Sequence, residues 1–502
     1  MAQPVILEHT FSFFNTALDF KTFHIQTSHN IFPLLSEHES IPSAINQMPL
    51  DHLPAEILWE ILSHLPNPRH WGENGHPDLC AVALTCRYIS PVAITLLYSR
   101  IKLELYWYNH RDHKRAIALN NSCRENPDLV HHIHSLVLTS DNRDTTKLCN
   151  EILSQLAKST SLVKLKLKVY DIWECLPALF KPVSNSFPCL SEVEFGFYLH
   201  EYLDDLPADY LVRLFELPAL NTLVLGVLYN NWNTTLSPKT VFKSLTELYM
   251  DESMVCFKTL ESILARAPNL RRLALRMTSH GINGDLDNTF RPSSYATLLA
   301  PLANYLKTLV IDQADLYSAP HDGSRFDLSS FKNLSSLTLH SCLLFGPESS
   351  ASSCQWQGEI CELLPPRLCQ LNVNFKGSQG LLWPSYEIIR HAELGTFDLL
   401  WKERLHQHNI DWLLDLLDRR RRGMIAIKTV KINEYRGPDN RQNLVHWGMT
   451  DLLRTAATEA GVALMIYLAV PRWFNSPENT IVPFSQLRLT LETSDRRTVN
   501  FY

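Results

Sequence analysis

The 502-residue chain contains no uninterrupted apolar run of about eighteen residues, so no membrane span is expected. A strong excess of either charge is also missing. The net charge of −6 gives no general reason to expect a nucleic-acid partner. Its 11 cysteines are odd in number and lack close pairing, which fits free thiols in a reducing compartment, cytoplasmic or nuclear. Cys354, Cys361 and Cys369 stand 7 and 8 residues apart, unlike the tight pairs of structural zinc sites, so no metal is expected. Phosphate-binding glycine loops, a Gly-x-Ser-x-Gly elbow and a His-Glu-x-x-His helix are all missing. The chain therefore reads as a non-enzyme without a cofactor. With 45% hydrophobic and 20% charged residues, it is long enough for two or more cores.

The densest pattern lies between Leu50 and Leu103. From Leu53, apolar residues at Ile57, Leu58, Ile61, Leu62 and Leu65 form a broad stripe on one helix. Pro54 suits the first helical position, and Glu56 complements the helix dipole in the first turn. Pro66 and Pro68 end the helix. After a polar insert, Asn67 to Pro77, Asp78 is expected to cap a helix over 79–86. Ser90 before Pro91 is expected to cap a third, running to about Tyr98. Three short helices bury little surface, so such a unit usually needs a partner or a neighbouring domain.

The ordered set Leu53-Pro54, Glu56-Ile57-Leu58, Leu65-Pro66, Cys86-Arg87 and Leu96-Leu97-Tyr98 resembles the F-box. That module docks substrate receptors onto the Skp adaptor of cullin–RING ubiquitin ligases. The resemblance implies adaptor contacts from Leu53, Pro54, Ile57, Leu58, Ile61 and Leu62, with Leu79, Leu84 and Leu97 completing the unit. It also implies cullin and RING subunits as indirect partners, and an unknown protein as substrate. The polar insert is longer than usual for the family.

Downstream, one aliphatic pattern recurs, i, i+3, i+5, starting at Leu162, Leu190, Leu220, Leu245, Leu270, Leu306, Leu334 and Leu368. The steps are 28, 30, 25, 25, 36, 28 and 34 residues, with weaker copies at Ile133, Leu394, Ile427 and Val462. Turn signals such as Ala267-Pro268-Asn269 and Phe331-Lys332-Asn333 precede several copies. Helix-like stretches over 145–158 and 257–266 fall between copies, so each unit reads as one strand and one helix. The pattern resembles degenerate leucine-rich repeats of the kind found behind F-boxes in fungal-type receptors. An ordinary α/β domain with parallel strands is the plainer alternative. The expected fold is therefore α/β. Residues 1–47 form a poorly ordered extension and 48–103 a three-helix F-box. Residues 104–502 form an irregular leucine-rich-repeat-like solenoid with a parallel sheet.

Within each repeat the aliphatic positions point inward and the intervening ones outward. This places Lys164, Lys166 and Lys168 on one rung, Glu192 and Glu194 on the next, and Arg272 and Arg276 further on. Such alternating charge could select a complementary protein substrate. It could equally be a solvated strand face. His131-His132-x-His134 reads as partly exposed surface, and the arginines at 419–422 as a helix C-terminus closed by Gly423. The expected function is a non-catalytic substrate-recognition subunit of a Skp–cullin–F-box ligase. The alternative is an F-box scaffold outside ubiquitination.

Overall fold

The computed structural model describes residues 53–63, 77–85, 87–157, 159–169, 187–197, 213–215, 217–226, 229–230, 241–255 and 257–277. It further describes 291–313, 322–345, 360–376, 386–391, 396–401, 407–435, 443–446 and 449–470. The extension 1–47, most of the polar insert, Cys86 and Cys354 lie outside these residues. The chain forms two compact units, residues 1–224 and 225–502.

The first unit opens with three helices, α1 (Ala55–Ser63), α2 (Pro77–Thr85) and α3 (Ser90–Ser99). Their boundaries differ from the sequence expectation by one or two residues. Helix α1 begins at Ala55 instead of Pro54, and the Pro54 carbonyl accepts from the Ile57 and Leu58 N–H groups at 3.1 and 3.0 Å. Helix α2 starts at Pro77, so Asp78 is not its cap. Ser90 lies inside α3, whose N-cap Ile89 makes no side-chain cap hydrogen bond.

Strands β1 (Arg100–Leu105), β2 (Ser135–Ser140), β3 (Lys164–Val169) and β4 (Glu192–Phe197) follow as adjacent parallel neighbours. Between them run α4 (His110–Glu125) and α5 (Arg143–Leu156). Register matches repeat to repeat: Leu136, Leu165 and Val193 align, as do Leu138, Leu167 and Phe195. All six are buried. Strand β5 (Thr222–Gly226) crosses the boundary between the units.

The second unit is also α/β. A short β6 (Tyr229–Asn230) pairs with β7 (Glu247–Val255). The sheet runs β7, β8 (Arg272–Met277), β9 (Thr308–Gln313), β10 (Ser336–His340) and β11 (Gln370–Lys376). It ends with β14 (Thr429–Tyr435), β16 (Ala463–Val470) and β15 (Asn443–His446). Only the last pairing, β15 to β16, is antiparallel. Helices α6 (Phe257–Leu264), α7 (Pro292–Leu299), α8 (Cys342–Phe345), α9 (Ile360–Leu363), α10 (Gln407–Arg421) and α11 (Asp451–Ala460) occupy the connections. Strands β12 (Tyr386–His391) and β13 (Thr396–Trp401) form a separate antiparallel pair. The weak repeat copy at Leu394 leads into that pair rather than into the parallel sheet, because alternating aliphatics suit a strand of either direction.

One backbone device recurs through both units. The carbonyl just before a strand accepts two successive N–H groups from the start of the next. His134 takes Val163 and Lys164, Thr246 takes Arg271 and Arg272, and Ser335 takes Cys369 and Gln370. A turn closes immediately ahead of the aliphatic motif, as in Leu270 N–H to Ala267 O and Leu334 N–H to Phe331 O. These are the turns that Pro268-Asn269 and Lys332-Asn333 signal. Gly423 has φ 75°, which suits a residue without a Cβ, and closes α10 through Met424 N–H to Arg419 O and Gly423 N–H to Arg420 O. Both sheets are open, and no helix among the described residues is long and apolar enough to cross a membrane.

Candidate docking surfaces

The three-helix module has a small core of Leu53, Leu58, Leu62, Leu79, Ala83, Ile89 and Ala93. Leu53, Leu58 and Leu62, together with Leu79 of the second helix, are buried in the module's own core. A helix advances about 100° per residue. That puts Leu58 and Leu62 on the inner face and Pro54, Ile57 and Ile61 on one flank. Glu56 and Glu60 fall behind. Pro54 is exposed, Ile57 is 43% exposed, and Ile61 is half-buried against the core. Trp59 falls on the opposite flank. On α2, Leu84 is 45% exposed, and Leu97 on α3 packs partly buried against the core.

Tyr88, at the turn between α2 and α3, was not singled out by the sequence. It is 50% exposed, and its hydroxyl donates to the Leu53 carbonyl at 3.0 Å. The bond holds its ring beside the start of α1, next to Pro54. Pro54, Ile57, Leu84 and Tyr88 are thus apolar or aromatic side chains that the module leaves exposed.

The charged residues of the strands behave differently. In-register parallel strands lie about 4.8 Å apart, so residues in the same register position touch across the ladder. Lys164 pairs with Glu192 at 2.7 Å, and Lys166 pairs with Glu194. In the second unit Arg272 pairs with Glu247 at 3.1 Å and Arg276 with Asp251 at 3.6 Å. The Tyr249 hydroxyl donates to Glu247 at 2.9 Å, and burial with that carboxylate beside it raises the Tyr249 pKa. Lys168 lies over Gly196, where an added Cβ would stand 3.3 Å from the lysine Cγ. The sign alternation seen in the sequence is therefore largely satisfied between neighbouring strands.

The described residues offer little for covalent or metal chemistry. Burial pushes the thiols of Cys123, Cys149 and Cys361 up to about 12, so they stay protonated at neutral pH and are poor nucleophiles. Cys80 and Cys342 are also buried and form no disulfide, and the Cys342 Sγ lies 3.0 Å from His340 Nδ1. No group of three His, Cys, Asp or Glu side chains is placed to hold a metal among the described residues.

Residues 50–104 match the family model described as F-box-like. The match spans the three-helix module and ends inside β1. No curated protein matches the chain.

Proposed function

We propose that the chain is a non-catalytic substrate-recognition subunit of a Skp–cullin–F-box ubiquitin ligase. The observation that carries this reading is the F-box-like match at residues 50–104, falling on a module with uncovered apolar side chains. F-box domains generally mark adaptor subunits and typically bind Skp-type proteins. Docking is assigned to Pro54, Ile57, Ile61 and Leu84, with Tyr88 added. Leu53, Leu58, Leu62, Leu79 and Leu97 shape that surface from within.

Behind it, the strands of residues 104–502 are read as a degenerate leucine-rich-repeat-like solenoid. The repeated register and the shared carbonyl bridge support this, because each strand relies on its neighbours to bury its aliphatics. The solenoid would hold a protein substrate while cullin and RING subunits, reached through the adaptor, bring the charged conjugating enzyme. Rate would then come from proximity. Affinity capture of the full chain with mass spectrometry tests the adaptor link. Wild type is expected to retain a Skp-type adaptor and a cullin, and Ile57→Asp with Leu84→Asp to lose both. Captured proteins that gain no ubiquitin in a reconstituted ligase assay would make the chain a scaffold instead.

A further inference from the structure

In the second unit the strands β7 to β11 and β14 are neighbours in one sheet, and each is entered through a short lead-in. The lead-ins span 241–246, 267–271, 303–307, 331–335, 365–369 and 424–428. Each carries one exposed cation: Lys243, Arg271, Lys307, Lys332, Arg367 and Lys428. No aspartate or glutamate lies in any of them, although the chain as a whole has a net charge of −6. None of the six cations makes an ion pair among the described residues. Their neighbours do: Arg272, the next residue after Arg271, is paired with Glu247. Carboxylates just upstream are engaged elsewhere. Asp327 accepts the Ser329 N–H at 2.8 Å, and Glu362 faces Arg419 at 3.8 Å.

Register aligns these charges along one edge of the sheet. Arg271, Lys307 and Lys428 each stand immediately before the first paired residue of β8, β9 and β14. Arg271 and Lys307 are on adjacent strands, so their backbones are about 4.8 Å apart. Like charges placed side by side across a sheet destabilise it. The repeat does not require them, since Val163, Ser191 and Asn221 fill the corresponding positions before β3, β4 and β5. The carbonyls of Arg271 and Lys307 are already taken by the next strand, so recognition along this edge falls to the side chains.

We infer that this edge docks an extended acidic segment of a protein partner, its carboxylates set against Arg271, Lys307 and the cations on either side. The six strands span about 24 Å, the length of about seven extended residues. A single-stranded nucleic acid fits less well. Such strands bind by stacking successive bases on aromatic rings, and Tyr305 is the only exposed aromatic in these lead-ins. The negative charge of the whole chain also opposes a polyanion longer than the edge. That the partner is a protein rests on the substrate-receptor reading. The test uses no adaptor, so either can fail alone.

Full chain is titrated into a fluorescein-labelled heptaglutamate peptide and followed by anisotropy. Controls are heptalysine and a single-stranded oligonucleotide of the same charge as the acidic peptide. The acidic peptide is expected to bind most tightly, to weaken with salt, and to lose about tenfold in affinity in Arg271→Glu with Lys307→Glu. Arg271→Lys with Lys307→Arg should retain the binding, which separates lost charge from a disturbed edge. Lys114→Glu, at an exposed site on α4 of the first unit, should leave it unchanged. No binding of the acidic peptide, equal or tighter binding of either control, an unchanged affinity in the double reversal, or an equal loss in Lys114→Glu would each overturn the inference.

Discussion

The three-helix module and the strand repeats use the same leucine-rich chemistry to opposite ends. In the repeats the aligned motif aliphatics find counterparts one strand away. Leu309, Leu337 and Leu371 align and are almost wholly buried. In the module a few leucines form a core, while Ile57, Leu84 and Tyr88 stay about half exposed. Repetition lets the strands complete one another. Three short helices lack a repeated counterpart, and part of their apolar surface stays exposed.

Stability measurements can break that comparison most sharply. Leu337→Ala in a strand and Leu58→Ala in the module should each cost about 2–5 kcal/mol in urea unfolding, since both empty a packed site. Ile57→Ala and Leu84→Ala should stay within about 0.5 kcal/mol in the free chain. If Ile57→Ala costs as much as Leu58→Ala, that flank is core and the contrast fails. Tyr88→Phe removes the hydrogen bond to the Leu53 carbonyl and should cost about 0.5–1.5 kcal/mol, read as earlier melting of the module.

The repeats' charge ladder should matter less. Lys166→Ala, which breaks a partly exposed pair with Glu194, should cost about 0.2–1 kcal/mol and less at high salt. A larger loss would mean that the pairs, not the aliphatics, hold the strands in register.

The smallest effect expected lies where helix and repeat meet. His132 Nδ1 lies 3.2 Å from Thr95 Oγ1 of α3. Burial, then the neighbouring His134 and His131, lowers the His132 pKa below its ordinary 6.5, although Asp128 opposes this. The unfolded chain thus takes up the proton more readily than the folded one. The stability contribution is full above pH 6.5 and declines as pH falls towards the lowered folded value. His132→Gln should flatten that decline in a pH series of thermal melts. An unchanged slope would remove His132 from the account.

Much of the fold was legible because its cause is local and repeated. The i, i+3, i+5 spacing encodes a turn, an entry residue and two inward strand positions, and the Leu270 and Leu334 turns form where Pro268 and Lys332-Asn333 signal them. The Leu394 copy went astray for the same reason, since the spacing carries no strand direction. The module's stripe was visible too. Periodicity alone could not separate Leu58, which is covered, from Ile57, which is not, because that division is set by where α2 and α3 pack. Similarly, the charges of Lys164 and Glu192 were plain, but their pairing follows from register, a long-range property. Tyr88 lies in a turn, where no period marks a residue.

The central claim is best tested by titrating purified full chain with a Skp-type adaptor by calorimetry, beside Ile57→Asp with Leu84→Asp and a melting curve of each. Tight binding by wild type, with loss of at least about a hundredfold in the variant at unchanged melting temperature, is the predicted result. No binding by wild type, or equal binding by the two, would contradict it.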